Sequence, residues 1–254
     1  MSDLQGRTVL ITGAGSGIGL ACAEGFIADG ATVYGADIDA DGLRAIKGVG
    51  GIAVEADVAR DADVRALVQR AELDTGRIDV LFNNAGMAFG TPIEDLPDGQ
   101  FERMFAVHLF GAVYAMRAAL PIMRAAGYGR IINTISRGAE ADRDVAYAAA
   151  KSALWAAGRV AARESADADI LVNSLIPGPT NTPIWGRNMP HLQPASAVYP
   201  TVRLMATLPA GGPSGQAFFW EKTYPLFLNT IPVGASTEYW DVLTREMFAR
   251  GERD

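Results

Sequence analysis

Cysteine is nearly missing from this sequence. Cys22 stands alone, so no disulfide can close within the chain, and a reducing compartment is the simplest setting. Histidine is almost as scarce, at two residues, which argues against a His/Cys metal cluster; no metal is expected. Positive charge is in deficit too. The 22 Lys and Arg against 29 Asp and Glu leave a net charge of −7, a poor basis for nucleic-acid binding. No apolar run reaches the roughly 18 residues of a membrane span, and the opening MSDLQGR carries no basic-then-apolar signal. The expectation is a soluble cytoplasmic protein with no membrane partner. Disorder is disfavoured as well: charged residues are only 20% and apolar residues 49%, enough for a large core.

What is present alternates. Strand-like runs occur at RTVLIT (7–12), ATVYGAD (31–37), GGIAVEAD (50–57), IDVLFNNAG (78–86), GRIINTIS (129–136) and ADILVNSLIPG (168–178). Helical patterns lie between them, up to Asp29, over 39–47, 60–75, about Gln100 to Ala125, and 146–165. Strands alternating with helices imply right-handed crossovers and a parallel sheet covered on both faces. The predicted fold class is therefore α/β: one doubly wound (Rossmann) domain over 1–254, with a mostly parallel seven-stranded sheet. Residues 179–215 are rich in Pro, Met and Gly and read as a substrate loop or lid. Residues 229–254 form a C-terminal extension, with a helix predicted over STEYWDVLTREMFAR (236–250).

The first strand ends in four glycines, Gly13, Gly15, Gly17 and Gly19, which open the first helix. Glycine there permits positive φ and close approach of a ligand. The helix N-terminus behind it offers free N–H groups and partial positive charge, a site for a pyrophosphate. Asp37 ends the second strand, where a carboxylate accepts hydrogen bonds from ribose hydroxyls and repels a 2′-phosphate. No Lys or Arg lies in YGADIDADG to offset it, so NAD is favoured over NADP. Asp39 suits the cap of the next helix. Asp57, ending the third strand, could meet the adenine edge or cap the helix of 60–75.

YAAAK puts Tyr147 and Lys151 four apart, on one helix face. A phenol is a poor acid or base near neutrality; an adjacent ammonium favours the phenolate and brings it into working range. Such a pair could pass a proton to or from an alcohol or carbonyl oxygen.

TGAGSGIG (12–19), NNAG (83–86), YAAAK (147–151) and PGPTNTP (177–183) occur in this order. With them the chain resembles the classical short-chain dehydrogenase/reductases, well over about residues 5 to 185 and poorly beyond. The resemblance implies that Tyr147 is the general acid/base, and that Lys151 lowers its pKa and binds the nicotinamide ribose. It implies that Asn83, Ala85 and Gly86 line the cofactor cleft and that Pro177, Gly178 and Thr182 border the nicotinamide. Ser16, Ile18, Asn84 and Thr180 join the cofactor set by position in these motifs, and Val58 joins it beside Asp57. A homotetramer, or a dimer, built on the helices near 100–125 and 146–165 is also implied.

Two departures from the family pattern stand out. The serine that bonds the substrate oxygen would be Ser136, with Thr134 as fallback, but it precedes Tyr147 by only 11 residues, a loop shortened by about two. His108 stands where the family carries an asparagine that bends the helix and holds a water in a proton relay. Histidine can also donate, accept and shuttle protons, so His108 joins the catalytic set; a tie to a backbone carbonyl is the plainer alternative.

On the substrate side, Met87, Phe89, Trp185 and Met189 suggest an apolar pocket, with Tyr199, Phe219, Trp220 and Tyr224 as further aromatic candidates. Arg137 is grouped with them, although a surface charge is the simpler reading. His191 reads as a surface residue. The leading expectation is an NAD-dependent alcohol dehydrogenase or ketone reductase for an apolar secondary alcohol. The alternatives are a non-catalytic dinucleotide sensor or scaffold, and a halohydrin dehalogenase-like lyase. Lys151 in place of an arginine, and the intact glycines, argue against the lyase.

Overall fold

The computed structural model describes residues 4–137 and 144–226. The helix predicted over 236–250 and the 229–254 extension lie outside the described residues. In chain order the elements are β1 (Thr8–Thr12), α1 (Gly17–Ala28), β2 (Thr32–Asp37), α2 (Ala40–Gly48), β3 (Ile52–Glu55), α3 (Asp61–Thr75), β4 (Val80–Asn83), α4 (Gln100–Phe105), α5 (Gly111–Ala126), β5 (Gly129–Thr134), α6 (Val145–Glu164), β6 (Ile170–Leu175), β7 (Thr180–Asn181), β8 (Gln193–Pro194), α7 (Tyr199–Ala206), β9 (Ala217–Phe219) and β10 (Lys222–Tyr224).

The main sheet runs β10-β9-β6-β5-β4-β1-β2-β3. All its neighbours are parallel except the β9–β10 hairpin. It has eight strands rather than the predicted seven, because the short Lys222–Tyr224 return strand adds an antiparallel edge. Strand β1 lies between β2 and β4. The chain winds one way from β1 to β3 and the other way from β4 to β6, so a crevice opens beyond the carboxyl ends of β1 and β4.

Burial on both faces explains why the strands read as unbroken apolar runs. In β1, Val9 and Ile11 pack with Phe26, Val33 and Phe82, while Leu10 packs oppositely with Leu67, Leu81 and Val172. At the amino ends of the strands, buried Asp79 accepts from the Thr8 N–H at 2.8 Å and from Arg7 at 2.7 Å, and also pairs with Arg77. The guanidinium groups of Arg7 and Arg130 lie over the Tyr128 ring at 4.1 and 4.2 Å.

The long helix expected over 100–125 is continuous, but Ala106–Phe110 forms a π turn between α4 and α5. Contrary to the expectation about apolar length, Gln100–Ala126 is long and apolar enough by composition to cross a membrane. Here Ala112, Ala115, Met116, Ala119 and Met123 of this helix are buried within the chain.

The segment 179–215, expected as an irregular substrate loop or lid, contains a helix. Residues 199–206 form α7, started by Pro200 at a position that a helix tolerates. Val202, Met205 and Ala206 are buried in the same cluster as Phe26. Tyr199, Phe219 and Tyr224 likewise serve packing: Tyr199 meets Phe26 edge-on and donates to Asp29 at 2.8 Å, and the other two are core residues. Met205→Ala is expected to lower unfolding free energy by about 2–4 kcal/mol, as buried Met truncations do. Urea denaturation measures this; a mobile lid residue would leave the midpoint unchanged.

Candidate active site

The crevice is a cleft of about 520 Å³. Its first wall is the glycine turn. Gly13 has φ +63°, and a Cβ there would fall 2.7 Å from the Ala85 Cα; a Cβ on Gly15 would fall 2.6 Å from Asp37 Oδ2. A side chain at 19 would collide with the Gly13 carbonyl. Glycine is therefore required by the chain's own backbone as well as by any ligand. Ser16 precedes α1 and makes no side-chain cap, so the first N–H groups of that helix face the cleft uncapped. The turn fits a diphosphate on these grounds.

Two polar residues lock β1 to β4. Thr12 Oγ1 accepts from the Asn84 and Ala85 N–H groups at 3.1 and 3.2 Å. The Asn84 side chain donates back to the Thr12 and Gly13 carbonyls at 3.2 and 3.0 Å. Asn84 lines the cleft, whereas Asn83 points into the sheet and donates to Asn133 at 2.8 Å; the expectation that Asn83 lines the cleft is corrected.

Asp37 lines the far end and accepts from the Gly15 N–H at 2.8 Å and the Asp39 N–H at 3.0 Å. Asp39 caps α2 through the Gly42 N–H. Asp57 lines the cleft and closes a turn onto the Ala59 N–H at 2.9 Å; the N-cap of α3 is Arg60, so Asp57 is not that cap.

Tyr147 and Lys151 lie on the first turns of α6 and both line the cleft. Lys151 is 3% exposed and donates to the Thr134 carbonyl at 2.7 Å. Burial lowers its pKa to about 7. Its Nζ lies 5.6 Å from the Tyr147 ring centroid.

His108 sits in the π turn, where the wider backbone ring turns it inward. Its Nε2 is 2.8 Å from the Met87 carbonyl and 3.1 Å from the Met87 N–H, the plainer of the two roles anticipated. Its ring meets Tyr147 edge-on at 5.3 Å. Burial, then the Lys151 charge, hold its pKa well below the usual histidine value, against the Met87 bond, so the ring is neutral.

Val58, Ala85, Gly86, Met87, Pro177, Gly178, Thr180, Thr182 and Trp185 also line the cleft, as do Gly13, Gly17 and Ile18. Gly15 and Gly19 act from behind through backbone fit. Besides Asn83 and these two glycines, four further expected residues do not line it. Ser136 is half-buried just past β5, Phe89 is 50% exposed, Met189 bonds Asn181 through its N–H, and Arg137 lies over the Phe219 ring at 5.2 Å. The sequence reading missed Arg103, Val107 and Ile184, and kept Thr134 only as a fallback; all four line the cleft. Arg103 and Val107 are a helical turn apart, a spacing that could have marked them.

The family profile of short chain dehydrogenases matches residues 7–193. The chain belongs to this family. Among its relatives is the D-beta-hydroxybutyrate dehydrogenase of Cupriavidus necator, 36% identical over 71% of this chain and 73% of that protein. The levodione reductase of Leifsonia aquatica is 34% identical over 74% of each. The crystal structure of a 3-ketoacyl-(acyl-carrier-protein) reductase from Brucella melitensis complexed with NADH superposes with a TM-score of 0.80 at 30% identity, covering 85% of this chain and 96% of that one. Short-chain dehydrogenases bind a nicotinamide dinucleotide, and the Brucella melitensis structure is a complex with NADH.

The buried lysine of this short-chain dehydrogenase has a measurable signature. Its folded pKa lies below the unfolded value, so between about pH 7 and 10.5 the unfolded chain binds more protons. Lys151 therefore makes stability rise with pH across that window, by up to about 1.4 kcal/mol per unit. Below pH 7 its cost is fully present. The stability difference between wild type and Lys151→Met, measured in urea from pH 6 to 10, should carry this slope.

Proposed function

We propose that this protein is an NAD-dependent oxidoreductase that interconverts an apolar secondary alcohol and its ketone. One observation carries the reading: a single cleft joins the glycine turn and Asp37 to Tyr147 and Lys151. When bound, the nicotinamide supplies or accepts the hydride. Tyr147 exchanges the proton of the substrate oxygen, and Lys151 contributes the compensating positive charge. The Gly13–Gly19 turn would hold the diphosphate and Asp37 the adenosine ribose. Asp37 and the apolar, exposed Ile38 beside it disfavour a 2′-phosphate. Met87, Ala88, Val107, Ile184 and Trp185 give the substrate end an apolar lining.

A homotetramer or dimer belongs to the same proposal. Phe110 and Val160, exposed by 45% and 50% at the end of the π turn within the long helix and on α6, support it.

Arg103 favours a second reading of the substrate. It lines the cleft and makes no ion pair among the described residues, so a hydroxy acid could place its carboxylate there.

NADH formation across a panel of aliphatic, cyclic and aryl secondary alcohols, with 3-hydroxybutyrate included, tests both. On whichever alcohol is oxidised, Tyr147→Phe should lower kcat about 10²–10⁴-fold while NADH still binds; retained turnover would refute the mechanism. Asp37→Ala should raise the NADP-to-NAD ratio of kcat/KM by about 10–100-fold, the worth of a charge-assisted hydrogen bond plus relieved repulsion.

A further inference from the structure

Asp144 is a buried carboxylate that the chemistry above does not use. It is 5% exposed, and no cation pairs with it among the described residues. Three backbone N–H groups satisfy it instead. Oδ1 accepts from the Tyr147 N–H at 3.0 Å, as the N-cap of α6. Oδ2 accepts from the Phe89 N–H at 3.2 Å and the Gly90 N–H at 2.8 Å. Capping α6 needs only one oxygen, and an uncharged Ser or Asn caps as well. The second oxygen binds a loop more than fifty positions earlier in the chain.

That loop is the segment after β4 that puts Met87 and Ala88 into the cleft. Its other end is held by His108 at Met87. Both holding groups also fix Tyr147: His108 packs edge-on against the ring, and Asp144 caps the turn that carries it. The loop is thus strung between two side chains, each referenced to the same tyrosine.

We propose that Asp144 is a positioning and specificity-determining residue, a carboxylate strut that sets the distance between the Met87–Ala88 wall and the Tyr147 hydroxyl. It rests on the oxidoreductase reading for its effect on substrates, but not for the tether itself. A strut shared by wall and phenol makes the accepted substrate size depend on a residue that touches no substrate. Small displacements of this kind cost up to about a hundredfold in rate.

Asp144→Ser separates the two oxygens' tasks. Serine retains the helix cap but is one atom shorter and has a single oxygen, so the loop bonds are lost. Hydrogen exchange by mass spectrometry should show the amides of 87–91 exchanging about tenfold faster or more, with the thermal midpoint and NADH affinity unchanged. On an alcohol that the wild type oxidises, kcat/KM should fall about 10–100-fold, mostly through KM, and discrimination between small and bulky substrates should narrow. Asp144→Asn, which offers one acceptor oxygen and an amide that repels N–H donors, should fall between the two, and Asp144→Glu should restore protection in part.

Unchanged exchange at 87–91 in Asp144→Ser would overturn the proposal. So would faster exchange with substrate discrimination unaltered. If the wild type oxidised no alcohol, the oxidoreductase reading would fall separately, and the exchange result would still decide whether Asp144 tethers the loop.

Discussion

The lock between Thr12 and Asn84 is the contact on which the site depends. Strands β1 and β4 are neighbours, yet the chain leaves them in opposite directions across the sheet. Such a divergence leaves two loops with unpaired backbone groups. Four hydrogen bonds join Thr12 and Gly13 to Asn84 and Ala85 and satisfy those groups. Gly13 must then lack a side chain, because Ala85 occupies that space. The glycine turn, the floor of the cleft and the loop to Met87 all take their positions from this seam.

Charge is segregated along the strand direction. At the amino ends, Asp79 gathers Arg7 and Arg77, and Arg130 pairs with Asp169. These pairs hold the strands together. At the carboxyl ends lie the uncapped start of α1, the Asp37 carboxylate, and Tyr147 beside a lysine whose burial leaves it close to losing its proton. A buried group that titrates near neutrality costs stability, and it stands where proton chemistry needs it.

Much of this was legible in the sequence because two signals coincided. Period and punctuation marked six of the seven parallel strands, and motifs marked the cleft at their ends. The failures have particular causes. Pro200 suggested irregular chain, but proline near a helix start is permitted, and α7 became core. Lys222–Tyr224 is too short to carry a strand pattern. Asn83 and Asn84 are chemically identical, and only the alternation of a strand decides which faces the cleft. Phe219 and Tyr224 looked like pocket residues, but burial among Ile135, Leu154 and Ile176 claimed them. Arg103 lies in a helix with no motif of its own. The partners of Asp144 are distant in the chain, and nothing local announces them.

The bond from Asp37 to the Gly15 N–H gives one carboxylate two duties, discriminating at the ribose and buttressing the diphosphate turn. A redesign toward the phosphorylated coenzyme would have to treat these together. Swapping the acid for a basic residue would welcome the extra phosphate and strand an amide donor two positions into the glycine turn. The remedy is a paired change, with a hydroxyl or amide at 37 to cradle Gly15 and the new cation placed at 38, where the side chain already reaches solvent.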